Sequence, residues 1–106
     1  MVGVRHFQYS RLKELSNHHE GAFHAFVDFD QKSMKDGAIS AKDKELIAVA
    51  SAHTTGCPYC IDVHTKGAKQ QGATKEEVAE AIFVATALKA GSAIAHSVNA
   101  LNAYDE

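Results

Sequence analysis

The chain has one proline, Pro58, and every long segment on either side of it repeats with the period of a helix. No run of alternating β-branched residues competes with that period, and nothing outside position 58 is interrupted by proline. The expected fold is therefore all-α, with about six helices. A first amphipathic stretch over residues 7–17 turns Leu12 and Leu15 inward. A second, over 20–35, carries Phe23, Phe26, Val27 and Phe29 and ends at Asp36-Gly37. Ser40 has the character of an N-cap, with Asp43 three residues on in a weak capping box. It opens a third helix over 41–55 with Leu46, Ile47, Val49 and Ala50 apolar, and Gly56 takes the C′ position. Pro58 then occupies the favoured first position of a fourth helix that stops at Gly72. Thr74 and Glu77 form a capping box for a fifth helix to Ala90, Gly91-Ser92 break it, and a sixth runs over 93–104.

The fifth helix constrains more than its own length. Val78, Ala79, Ala81, Ile82, Phe83, Val84, Ala85, Ala87 and Leu88 leave almost no polar face between Glu80 and Lys89. A helix apolar all round must be covered on all sides, and a chain of 106 residues has little material to do so. The chain reads as one domain over residues 1–106, and part of this helix is expected to be buried by another subunit. The competing reading wraps it in its own five neighbours.

The formal charge of -2 offers no basic excess for phosphate, so no nucleic-acid partner is expected. The opening MVGVRHFQYS has no apolar core of a secretory signal. The apolar stretch from Ala81 to Val98 is interrupted by Lys89 and His96 and rich in small residues, which argues against a membrane span. A cytoplasmic setting follows as the default, where thiols rest reduced or cycle. No flavin, haem or nucleotide motif is visible, so no cofactor is expected.

Both cysteines fall in one window, Cys57-Pro58-Tyr59-Cys60, with His64 four residues on and Glu45 twelve residues before. A disulfide across so short a loop stabilises a fold little. Thiols concentrated this way are better suited to chemistry: a thiolate attacks, a second cysteine resolves it, and His or Glu moves protons. With Cys57 at the N-cap, residues 57, 60 and 64 share one helical face. Cys60 lies in the first turn, where unpaired N–H groups and the helix dipole favour a thiolate. Cap geometry by itself leaves either cysteine open as the attacker and leans to Cys57. Glu45 reaches the same region if the third and fourth helices pack antiparallel.

Blander readings compete at each position. One CxxC also occurs as half of a zinc site, which here would need His64 with His53 or His96. His53 and His96 read better as packed or hydrogen-bonded, and His18, His19 and His24 as surface residues. Glu45 alone, within Lys42-Asp43-Lys44-Glu45, would pass for a solvated charge. Tyr59 is placed to shield the thiols or shape their entrance.

Glu45-Leu46-Ile47-Ala48-Val49-Ala50-Ser51-Ala52-His53, followed by Cys57-Pro58-Tyr59-Cys60-Ile61-Asp62-Val63-His64, resembles the signature of the carboxymuconolactone decarboxylase family. It is more similar still to the alkylhydroperoxidase-D-like branch, whose pattern is Glu, eleven residues, CxxC, three residues, His. The likeness continues through Gly67-Ala68, Gly72 to Glu77 and the alanine-rich fifth helix, about residues 38–100. It implies an all-helical trimer or hexamer with thiol-dependent peroxidase or disulfide reductase activity. It also implies Cys60 as reactive thiol, Cys57 as resolving partner, and His64 with Glu45 as proton relay. The substrate would be a hydroperoxide and the electrons would come from an external dithiol. Two alternatives stay open: decarboxylase-type chemistry on a small lactone, which needs no CxxC, and a non-enzymatic helical oligomer that senses redox state.

Overall fold

The computed structural model describes residues 10–106, and among them every regular element is helical. In chain order these are α1 (Ser10–His18), α2 (Glu20–Met34), α3 (Ala41–Thr55), α4 (Pro58–Gln70), α5 (Lys75–Ala95) and α6 (Ser97–Asp105). Residues 7–9 of the predicted first helix lie outside the described residues.

Local chemistry sets most of the boundaries. The Ser40 hydroxyl accepts the Asp43 N–H at 3.1 Å, and the Asp36 carboxylate accepts the Ala41 N–H at 2.6 Å. Lys44 donates its ammonium to the Lys35 carbonyl at 2.6 Å, tying the end of α2 to the first turn of α3. Gly56 adopts φ 69°, the left-handed value that a side chain disfavours, and its N–H returns to the Ala52 carbonyl at 2.9 Å. The Thr74 hydroxyl accepts the Glu77 N–H at 3.1 Å while the Glu77 carboxylate accepts the Thr74 N–H at 2.9 Å, completing the capping box. The same carboxylate meets the Lys42 ammonium at 2.8 Å, which joins the N-terminal ends of α3 and α5.

The turn at Gly56 folds α4 back along α3, and α5 packs on α3 as well. Their shared core is narrow: Val49 and Ala52 from α3, Ala68 from α4 and Ala85 from α5 are buried. Three of these four are alanine, so the backbones approach closely. The α1–α2 pair packs on itself and meets the rest through α2 against α3.

The C-terminal region departs from the sequence expectation. Gly91-Ser92 do not end α5, which continues to Ala95. His96 has φ −70° and ψ −10°, still right-handed helical, so α6 extends α5 after a single turn residue. The described residues thus form five rods instead of six separate helices. A glycine inside a helix costs only about 1 kcal/mol against alanine, and the helix-forming run around it outweighs that. The most apolar 18-residue stretch of the rod has mean hydropathy 1.5 and is 6% buried. Lys89 and His96, read above as arguing against a span, leave it long and apolar enough to cross a membrane by length and composition alone.

Candidate functional site

The corner between α3 and α4 assembles the predicted chemistry. Gly56 turns the chain so that Cys57 becomes the N-cap of α4 and Pro58 enters its first turn. The Cys57 sulfur accepts the Cys60 N–H at 3.2 Å. Cys57 and Cys60 are joined as a disulfide with their Cα atoms 5.3 Å apart, inside the usual span for such a bond. Both residues are half-buried.

One turn further along α4, His64 meets Glu45 from α3. Nδ1 of the imidazole lies 2.7 Å from Oε1 of the carboxylate across 19 residues of sequence. The two side chains are 22% and 19% exposed, enough shielding to strengthen the contact without isolating it from solvent. A carboxylate only accepts, so Nδ1 carries the proton and Nε2 is the nitrogen left to exchange one.

His64 and Cys60 line one cleft of about 210 Å³, whose other wall is Ala48, Ser51, Ala52 and Thr55. Those four are spaced three and four apart on α3, a face of small side chains that lines the cleft with Cys60. A second, wider depression of about 470 Å³ is bordered by Asp30, Gln31, Met34 and Gln71 among others. Glu45 and His64 border this depression too, and His64 is the residue that lines both.

Glu45, Cys57, Cys60 and His64 are therefore gathered at one corner. Sequence reasoning missed the α3 wall, although the period of Ala48, Ser51, Ala52 and Thr55 carried the signal. The other described histidines lie elsewhere. His53 places Nδ1 2.8 Å from the Val49 carbonyl and borders a different cleft with Thr86 and Lys89. His96 places Nδ1 2.7 Å from the Ser92 carbonyl. His18, His19 and His24 are exposed, but His19 also accepts the Ala22 N–H at 3.3 Å and caps α2, a role its sequence position did not suggest. Among the described residues no three His, Cys, Asp or Glu side chains cluster as metal ligands would.

Comparison with known proteins gives a consistent picture. Residues 20–103 match the model of the Carboxymuconolactone decarboxylase family. Uncharacterized protein 4 in cox locus, from Paracoccus denitrificans, is 49% identical over 82 residues, covering 77% of this chain and 74% of that one. A protein of Cupriavidus necator is 34% identical over 84 residues, 79% of this chain and 74% of its own. Among solved structures, a carboxymuconolactone decarboxylase family protein from Legionella pneumophila aligns with TM-score 0.72 at 32% identity, covering 92% of this chain and 87% of that one. A Methanobacterium thermoautotrophicum protein aligns with TM-score 0.73 at 31% identity, covering 83% and 94% respectively.

Proposed function

The chain belongs to the carboxymuconolactone decarboxylase family, and from that premise we propose that it is a thiol-dependent peroxidase, reducing hydroperoxides through Cys57 and Cys60. The observation that carries this reading is the Glu45–His64 contact at 2.7 Å beside a cleft that His64 shares with Cys60 of the CxxC pair.

In the reduced protein, Nε2 of His64 takes the proton of the Cys60 thiol, and Glu45 stabilises the imidazolium through Nδ1–H. The thiolate attacks one oxygen of the hydroperoxide, the O–O bond breaks, and the departing alkoxide takes the proton back from His64 and leaves as an alcohol. Cys60 is now a sulfenic acid, oxidised by two electrons. The Cys57 thiol attacks its sulfur, the S–O bond breaks, and water leaves as the disulfide forms. An external dithiol then supplies two electrons and two protons by disulfide exchange. The assignment of Cys60 as attacker is supported by its place in the His64 cleft, whereas the Cys57 sulfur is engaged as the α4 cap. A cleft of about 210 Å³ suits a small hydroperoxide.

The same reading takes the active form to be a homo-oligomer, a trimer or hexamer, with the α5–α6 rod covered by other copies. Steady-state peroxide consumption with a dithiol reductant tests the proposal. Wild type should turn over, and Cys60→Ser should fall to the uncatalysed rate. Consumption of a small lactone that survives loss of both cysteines would replace it with decarboxylase-type chemistry.

A further inference from the structure

Gly67 sits in the interior of α4, where alanine would favour the helix by about 1 kcal/mol. It follows His64 by three residues and so shares its face. A Cβ built on Gly67 would fall on the Glu45 carboxylate, 2.7 Å from Cδ and 3.1 Å from Oε1, with Oε2 closer still. Oε1 is the atom that meets His64 Nδ1. The carboxylate thus lies against the α4 backbone, in the volume a side chain at 67 would fill. At Gly21, Gly56, Gly72 and Gly91 the same construction meets nothing within 4 Å, so the crowding belongs to this position and not to glycines of the chain in general.

We propose that Gly67 is a positioning residue: its missing side chain seats the Glu45 carboxylate against α4, from where it holds the Nδ1–H of His64 and leaves Nε2 for Cys60. The inference rests on Glu45 and His64 acting as the relay. The Glu45–His64 bond has little room to lengthen. Displacing the carboxylate by about an ångström away from the imidazole takes the 2.7 Å contact beyond hydrogen-bonding range. A methyl group at 67 therefore breaks the pair while strengthening the helix that carries it.

The test is Gly67→Ala in the full chain. Its melting temperature should equal or exceed that of wild type. In the reduced protein, ¹⁵N resonances of the His64 ring should shift from the Nδ1–H tautomer toward the Nε2–H tautomer. Alkylation of Cys60 by iodoacetamide at neutral pH, followed by mass spectrometry, should slow roughly tenfold or more. In a Glu45→Ala background, where the carboxylate is gone, Gly67→Ala should change that rate by less than about twofold. A Gly67→Ala variant with the wild-type tautomer and rate would overturn the proposal. An equal slowing in the Glu45→Ala background would do the same. If Gly67→Ala lowers the melting temperature, repair by Glu45→Ala supports the contact, and failure to repair overturns it. Tautomer and alkylation do not require peroxide turnover, so an inactive wild type would defeat the peroxidase reading without deciding this one.

Discussion

His64 has one ring nitrogen committed to Glu45 at 2.7 Å and borders the cleft of Cys60, so in the proposed mechanism it is the residue on which proton movement depends. His64→Ala and Glu45→Ala are each expected to cut peroxide turnover by roughly ten- to a thousandfold, the range of a positioned acid–base group. Neither should unfold the protein, since the buried core of Val49, Ala52, Ala68 and Ala85 includes neither side chain. Initial rates together with far-UV circular dichroism check both statements; wild-type turnover in both variants would remove the relay. This constellation was legible because helical period converts the spacing of 57, 60 and 64 into one face, and the Gly56 turn brings residue 45 back to it. Gly67 was not legible, because its role lies in how near α3 approaches α4. Spacing along one helix does not encode the distance to another. The capping imidazole of His19 escaped for a different reason: histidine is not a usual cap, so only the bond to Ala22 reveals it.

At the scale of elements, the capping residues foretold both ends of α3 and the start of α5. Glu77 serves two elements at once. The Lys42 ammonium first, and the Thr74 N–H second, hold its carboxyl below the ordinary carboxylate value. A folded-state value below the unfolded one means that the contribution to stability is present above the ordinary carboxylate range and is lost as pH falls through the folded value. Chemical denaturation of wild type and Glu77→Gln at neutral pH and near pH ~4 should show the variant losing less stability on acidification. Equal losses would mean that the Lys42–Glu77 contact contributes nothing to the acid sensitivity. The end of α5 was misread because Gly91-Ser92 was weighed as local punctuation. The surrounding apolar residues, and a His96 that keeps right-handed helical angles, carry the helix through.

For the whole molecule, the apolar surface is the dominant fact. The total accessible area of the molecule, 8119 Å², exceeds the about 5,800 Å² expected of a compact monomer of 11.4 kDa. Its radius of gyration of 17.5 Å exceeds the ~13 Å expected for this length. Phe83 is 71% exposed and Ile94 74% exposed on the α5–α6 rod, a surface that soluble monomers avoid presenting. This exposed apolar surface was visible in the all-round apolar α5, whereas the joining of α6 to it was not. Light scattering should give a trimer or hexamer of the chain, and Phe83→Asp should shift it toward smaller species; a wild-type monomer at micromolar concentration would contradict the assembly. The most direct measurement of the central claim is a single turnover. Fully reduced protein treated with one equivalent of hydroperoxide should yield one equivalent of alcohol and one Cys57–Cys60 disulfide, seen by mass spectrometry as a loss of two hydrogens within one peptide. Cys57→Ser should stop at the Cys60 sulfenic acid, trapped by a dimedone probe. Peroxide left unconsumed by the reduced wild type, or consumed just as fast by Cys60→Ser, would contradict the account.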